Sequence, residues 1–290
     1  MRATATRSMI DEQATALTRA RYQRLSAVYD LMEGMAEVRY RPWRGKLWAL
    51  AACAPHSGVE GPRVLEVGVG TGKNVPYWPK GAPVTGIDLT PGMLAIARRR
   101  AKELGLAADL RLGDAQALEF PDASFDTAVA TFVFCSVPDP VLGLRELARV
   151  VRPGGQVFLL EHMRSANSIL GALMDMLNPL VVRMMGANIN RRTVENVRAA
   201  GLHVESVEEL RRGIFKLIAA RVGYRNRTHQ TAYTEHAKWR IEKRGKFNKI
   251  YRIRPISEEG APSHAKIPDP PLASRLTGPG RLLGDVVRPE

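Results

Sequence analysis

The sequence predicts a doubly wound α/β domain built on a mostly parallel sheet. Three observations carry this reading. Short buried-type β runs alternate with helical runs between residues 59 and 222, a glycine-rich turn follows the first β run, and acidic residues end the next ones. Strands alternating with helices imply crossover connections, and these imply a parallel sheet covered on both faces.

The elements follow in order. Residues 10–58 read as helical: Leu17, Leu25, Val28 and Leu31 recur at roughly helical spacing, and Pro42 is expected to open a further helix through Leu47, Trp48 and Leu50. Arg63–Val67 is the first strand and Gly68-Val-Gly-Thr-Gly72 a tight turn into a helix. Val84–Asp88 is the second strand. Thr90 is the expected N-cap of the next helix, with Pro91 at its first position, where a missing N–H does no harm. Ala108–Leu112 and Phe125–Phe132 are the third and fourth strands. The helix Val141–Val151 is expected to stop at Arg152-Pro-Gly-Gly155, before a fifth strand over Gln156–Glu161. Residues 168–185 form an apolar, methionine-rich insert, either a helix pair packed on the domain or a wall for a greasy ligand. Arg191–Ala200 is helical, and His203–Leu210 and Phe215–Arg221 pair as a C-terminal antiparallel hairpin, which brings the Rossmann-like sheet to seven strands.

Composition bounds the rest. The chain has 290 residues, 45% hydrophobic and 25% charged, which excludes a collagen, a coiled-coil rod or a wholly disordered chain. Lys and Arg (43) exceed Asp and Glu (29), a formal net charge of +14 that favours an anionic partner, nucleic acid or membrane surface. Cys53 and Cys135 cannot make a disulfide framework, which suits a reducing cytosol. The first residues lack the apolar core of a secretion signal, and no run of about 18 uninterrupted apolar residues exists. A cytoplasmic protein is expected, with room for association at a membrane surface. Three regions are expected: a helical cap over residues 1–58, the α/β domain over 59–222, and a basic, Pro-rich, largely disordered tail over 223–290. Between Arg225 and Arg254 the tail carries ten Lys/Arg against two Glu, interleaved with Tyr233, Trp239, Phe247 and Tyr251. That stretch is a solvated tail, an anionic-lipid contact or, less favoured, a nucleic-acid contact.

In an open parallel sheet, ligands sit beyond the carboxyl ends of the strands. Here the first strand ends in Glu66-Val-Gly68-Val-Gly70-Thr-Gly72. The turn is one residue tighter than the dinucleotide pattern Gly-x-Gly-x-x-Gly. Glu66, two residues before the first glycine, would repel a pyrophosphate but suits an ammonium reached through a water or backbone network. Asp88 ends the second strand, where a carboxylate accepts both hydroxyls of a ribose. Asp114 follows the third strand on the same rim, in reach of an adenine amine. Three acids on successive strand ends thus suit a ligand with ammonium, ribose and adenine, and S-adenosylmethionine has these parts plus a sulfonium. No metal ion is expected.

Four blocks then carry a resemblance: Val64-Leu-Glu-Val-Gly-Val-Gly-Thr-Gly72, Gly86-Ile-Asp-Leu-Thr-Pro-Gly-Met-Leu94, residues 113–126 from Gly113-Asp-Ala-Gln to Ser-Phe-Asp126, and Leu147-Ala-Arg-Val-Val-Arg-Pro-Gly-Gly155. They resemble the class I S-adenosylmethionine-dependent methyltransferases, in the branch of the quinone C-methyltransferases and small bacterial phospholipid N-methyltransferases. Phe132–Asp139 and Leu160–Met163 also resemble a thiol-methylating, lipid-associated branch. The resemblance covers about residues 25–222; Val69 departs from it, where the family often has a smaller residue. It implies that Gly68, Gly70, Thr71 and Gly72 line the methionine side and that Glu66 organises its ammonium. Asp88 would take the ribose hydroxyls, Leu89 and Met93 would flank the adenine, and Asp114 with Ala115 would read its edge. Thr131 and Phe132 would face the sulfonium and the incoming acceptor, and Tyr29-Asp30 resembles an element that closes over the cofactor.

For the chemistry, His162 is the first candidate to let a proton leave an amine acceptor; the alternative is a histidine that only hydrogen-bonds at a strand end. Tyr29 is either a lid residue or core packing. Cys135 reads as a small apolar residue rather than a nucleophile. Arg183, Arg191 and Arg192 flank the apolar insert and either meet a phosphate or are solvated. The expected function is methyl transfer to a small amphipathic acceptor, first a phospholipid amine (phosphatidylethanolamine), with a quinol carbon or a small thiol as alternatives. A nucleic-acid methyltransferase is less favoured because no Asn/Asp-Pro-Pro-Tyr clamp follows the fourth strand, where Thr131–Pro138 stands. A non-catalytic binding module is a further, lesser alternative. No feature sets an oligomeric state.

Overall fold

A computed structural model describes residues 10–56, 61–211, 213–224, 239–244 and 250–255. The chain divides into two compact units, residues 1–233 and 234–290.

The first unit opens with helices α1 (Glu12–Leu25), α2 (Tyr29–Met32) and α3 (Gly34–Ala52). Asp11 caps α1, its carboxylate accepting from the Ala14 amide. Sequence spacing placed a helix start at Pro42, but α3 runs straight through it. A proline cannot donate to the carbonyl four residues back. That residue, Val38, is solvent-facing, and burial of Leu47, Trp48 and Ala51 holds the helix beyond the break.

A seven-stranded sheet follows, in the order β3-β2-β1-β4-β5-β7-β6. Strands β1 (Val64–Val67), β2 (Val84–Asp88), β3 (Asp109–Leu112), β4 (Phe125–Thr131) and β5 (Val151–His162) are parallel. Strands β6 (Leu202–Arg211) and β7 (Phe215–Val222) form the antiparallel edge, β7 pairing with β5. Strand order reverses between β1 and β4, which is where such sheets bind ligands. Strand β5 begins earlier than expected: Val151–Gly155 belongs to it, with a register shift opposite Phe125 and Thr127, so Arg152-Pro-Gly-Gly155 is a bulged strand entry rather than a free turn.

Alternation along the strands divides the core in two. One face of the sheet, with Leu65, Val67, Ala128, Leu159 and Ile218, packs on α5 (Pro140–Val150) and α7 (Thr193–Ala199) through Leu144, Leu147 and Val197. The other, with Val64, Val129, Phe158 and Leu217, packs on α3 and on α4 (Pro91–Glu103) through Leu47, Trp48, Leu94 and Ala97. The expected insert over residues 168–185 is one helix, α6 (Ser168–Met185), rather than a pair.

In the second unit, β8 (Trp239–Arg244) and β9 (Ile250–Pro255) pair antiparallel from Trp239↔Pro255 to Arg244↔Ile250. A hairpin therefore stands in part of the tail expected to be largely disordered. The rest of that reading lies outside the described residues, as does the reading of Tyr233 and Phe247 as interleaved aromatics.

Candidate functional site

The carboxyl ends of β1, β2, β3 and β4 meet in one cleft. Its floor is the turn after β1. Gly68 has φ +70, and a Cβ there would sit 2.4 Å from a Val133 methyl, so only glycine closes the turn. Gly70 has φ +58 and lines the cleft, with nothing within 4 Å of where its Cβ would stand. That open space is a cradle which any side chain would fill.

Asp88 joins this turn to the next strand. One carboxylate oxygen accepts from the Gly70 amide and the other from the Thr90 amide, each at 2.8 Å. Burial raises its pKa above the ordinary carboxylate value, and the backbone donors oppose that shift. Thr90 begins α4 without the side-chain cap expected of it. The Gly92 amide is instead satisfied by Gln23 of α1 at 2.9 Å. Asp114 lies on the same rim and accepts from the Gln116 amide at 2.8 Å. Leu89, Met93 and Ala115 give the cleft an apolar wall on this side, and Thr131 and Phe132 bound it at the end of β4.

Glu66 is placed differently. It is completely buried and lies beneath the cleft, outside its lining. One oxygen accepts from Asn74 Nδ2 and the other from Trp78 Nε1, both at 2.6 Å. Burial pushes its carboxyl up to about 7, against the pull of those two bonds and of Arg44. Asn74 also donates to Thr131 Oγ1 at 3.1 Å and accepts from Arg44 Nη1 at 2.9 Å. Glu66 therefore reaches the cleft only through the Asn74–Thr131 relay. Thr71 and Gly72 are likewise outside the lining: both are buried, Gly72 against α4 and Thr71 bonded to Asp30.

The N-terminal helices roof the cleft. Thr18 and Tyr22 of α1 line it, and the Tyr22 hydroxyl lies 2.5 Å from Ser136 Oγ. Arg19 Nε donates to the Leu89 carbonyl at 3.1 Å. Tyr29 lines the cleft too, its hydroxyl donating to Glu33 at 2.8 Å. Asp30 accepts from Thr71 Oγ1 and from Arg100 Nη2, both at 2.6 Å, while Lys73 pairs with Glu33 at 2.9 Å. Sequence reasoning missed Thr18, Tyr22, Asn74 and Trp78. The available signal, for Tyr22 alone, was its place seven residues before Tyr29 in a stretch read as helical.

Phe132 has φ +57, a left-handed backbone that an aromatic residue rarely adopts. Its ring packs 4.8 Å from Tyr40 and 6.1 Å from Phe215, and Trp43 lies 5.3 Å from Phe215. His162 stacks on Phe132 at 6.3 Å and lies outside the cleft lining. Burial drives its pKa down to about 4, so the ring is neutral at neutral pH. Cys135 is buried, and burial reinforced by Glu161 pushes its thiol up to about 12, which keeps it protonated. Among the described residues no cluster of three or more His, Cys, Asp or Glu is placed to hold a metal ion. A side-chain-free bend, two rim carboxylates and apolar walls ending on an aromatic ring fit a nucleoside with a positively charged tail.

Comparisons with known proteins agree with this chemistry. A family described as "Methyltransferase domain" matches residues 65–159. A phosphatidylethanolamine N-methyltransferase of Cereibacter sphaeroides is 45% identical over 122 residues, 41% of this chain and 60% of that one, so the match spans about three fifths of that relative. The ubiquinone/menaquinone biosynthesis C-methyltransferase UbiE of Bdellovibrio bacteriovorus is 33% identical over 176 residues, 59% of this chain and 72% of its own length. A solved Thermotoga maritima structure, described as a SAM-dependent methyltransferase, shares the fold with a TM-score of 0.52 at 23% identity, covering 70% of this chain and 99% of that one.

Proposed function

This chain belongs to the class I S-adenosylmethionine-dependent methyltransferases, and we propose that it methylates the amine of a phospholipid headgroup, phosphatidylethanolamine first. The observation that carries this reading is the Phe132 ring, which lines the cleft at the end of β4. Tyr40 and Phe215 pack on that ring and Trp43 on Phe215, so an aromatic cluster outside the lining holds it in place. An aromatic ring at that end attracts an amine or its methylated ammonium. The 45% identity to a phosphatidylethanolamine N-methyltransferase supports the same acceptor.

When bound, S-adenosylmethionine supplies a methyl group already activated by a sulfonium. The residues positioned to hold it are Gly68 and Gly70 at the bend, Asp88 and Asp114 on the rim, and Leu89, Met93 and Ala115 along the wall. Thr131, tied through Asn74 to Glu66, stands at the ammonium end. What remains for the chain is alignment and exclusion of water. Alignment alone lowers such barriers by roughly 7–11 kcal/mol. Tyr29 and Tyr22 roof the cleft, and Phe132 fixes the acceptor approach. His162 supports the Phe132 ring from behind, and with a pKa near 4 it is a weak base, so an amine acceptor enters neutral and its proton leaves to solvent. The basic segment Arg225–Arg254 belongs to this proposal as a contact for anionic lipid.

A quinol acceptor is the second reading, favoured by the similarity to a ubiquinone/menaquinone C-methyltransferase over 72% of that protein. The test offers methyl-labelled cofactor to phosphatidylethanolamine vesicles, demethylated quinols and small thiols in parallel. Label in the lipid amine is the expected result; label confined to quinol or thiol overturns the proposal.

A further inference from the structure

Helix α6 turns a broad apolar side outward. Its inward side carries the buried Gly171 and Met174 and the half-buried Asn178, and Asp175 stands exposed beside them. Asp175 pairs with Arg164, and Asn178 accepts from the Ile189 amide at 2.9 Å. Asn188, next in the same loop, donates to the Cys135 carbonyl at 3.0 Å, beside the cleft-lining Ser136. These bonds fasten the helix to the rim of the cleft. Its outward side is apolar: Ile169 is 81% exposed, Met176 69%, Leu180 56% and Met184 71%. By length and composition α6 could cross a membrane. Its ties to Arg164, Asn188 and Cys135 hold it along the domain instead. None of its residues lines the cleft, so it is not the inner wall that the sequence allowed.

A second apolar ridge lies on α2 and α3. Leu31 is 84% exposed, Met35 93% and Val38 70%, and Leu31 is two residues from the cleft-lining Tyr29. Exposed apolar residues of this size at two places are not a monomer's ordinary surface. Arginines flank both: Arg183 is exposed at the end of α6, and Arg39 and Arg41 follow Val38. Two copies pressed together through these ridges would confront arginine with arginine, whereas an anionic lipid surface complements them.

We propose that α6 and the α2–α3 corner are a docking face which lies in the headgroup region of an anionic bilayer and turns the cleft mouth toward the lipids. An apolar helix face with flanking basic residues binds in this manner, its arginine stems buried and heads in water. The inference rests on the phospholipid reading above for its purpose, but its physical test stands apart from that reading.

The full-length protein is mixed with vesicles of phosphatidylcholine containing one quarter phosphatidylglycerol, and the bound fraction is measured by flotation. The pair Met176→Asp with Leu180→Asp, and separately Leu31→Asp with Met35→Asp, are each expected to weaken partitioning at least tenfold. Cofactor affinity by calorimetry is expected to stay unchanged, which shows the fold intact. Turnover of vesicle-borne phosphatidylethanolamine should fall in step, while turnover of dihexanoyl phosphatidylethanolamine free in solution should not. Undiminished partitioning by both variants overturns the docking face. Equal binding to pure phosphatidylcholine overturns its anionic partner. A wild-type dimer that the same substitutions turn into monomers overturns it in favour of an interface between copies. Loss of partitioning with no lipid methylated in any form supports the docking face and overturns the acceptor instead.

Discussion

Asp30 and Thr71 are joined by a 2.6 Å hydrogen bond from the threonine hydroxyl to the carboxylate, and this bond fastens the roof of the cleft to its floor. Arg100 completes the latch by bonding both the Asp30 carboxylate and the Thr71 carbonyl. Burial pushes the Asp30 carboxyl up, but the Thr71 and Arg100 bonds outweigh it and hold the group below its ordinary value.

The latch predicts a binding defect without a chemical one. Asp30→Ala removes a hydrogen-bonded charge pair worth about 1–2 kcal/mol at a part-exposed site. Cofactor affinity measured by equilibrium dialysis should weaken about five- to thirtyfold, while kcat at saturating cofactor changes little. A variant with unaltered affinity and a collapsed kcat would contradict the latch.

The glycine turn predicts two different losses from two similar substitutions. Gly68→Ala drives a methyl into Val133 and should cost stability first, lowering Tm. Gly70→Ala meets no neighbour, so its folding cost is confined to the left-handed backbone, about 1–2 kcal/mol. Its methyl enters the cradle, and cofactor affinity should fall at least tenfold with a smaller change in Tm. The reverse order of effects would place the ligand elsewhere.

Two buried carboxyls predict the direction of pH dependence. Burial lifts Glu66 and Glu161 from 4.5 to about 7, and Glu161 Oε2 has no hydrogen-bond partner among the described residues. Between these values the folded state binds more protons than the unfolded state. Their contribution is thus fully present below pH 4.5 and is lost as pH rises through about 7. Glu161→Gln removes one such group, so urea unfolding should show the variant gaining on wild type from pH 5 to pH 8, by up to about 3 kcal/mol. A gap that stays constant over that window would show that Glu161 is already ionised at its lower end.

His162 predicts the shape of the rate profile. Because burial holds its pKa near 4, it protonates only in strong acid. Any limb of the kcat profile that disappears in His162→Gln should therefore lie near pH 4, with activity falling as pH drops through it. A limb near 6.5 that vanishes in the same variant would mean an exposed, ordinary histidine.

The sheet was legible because its strands are short buried runs punctuated by glycine and acid, and Gly68, Asp88 and Asp114 lie where local spacing puts them. Long-range choices were not. Pro42 reads as a helix start, yet α3 passes through it because Leu47 and Trp48 are buried further on. Nothing local says that Glu66 turns inward, since its direction is set by Asn74 and Trp78, eight and twelve residues later. Thr18 and Tyr22 join the cleft through contacts with residues far along the chain, such as Ser136. The apolar run of α6 reads as a covering or core segment from composition alone; only the burial of Gly171 and Met174 reveals which side faces in.

The most direct test of the account is calorimetric titration of S-adenosylmethionine into wild type and Asp88→Ala. Asp88 both fastens the glycine bend and offers its carboxylate to the cleft, so the account predicts saturable one-to-one binding that the substitution weakens at least a hundredfold. Equal affinity of the two proteins, or binding of a nicotinamide dinucleotide in place of S-adenosylmethionine, would contradict it.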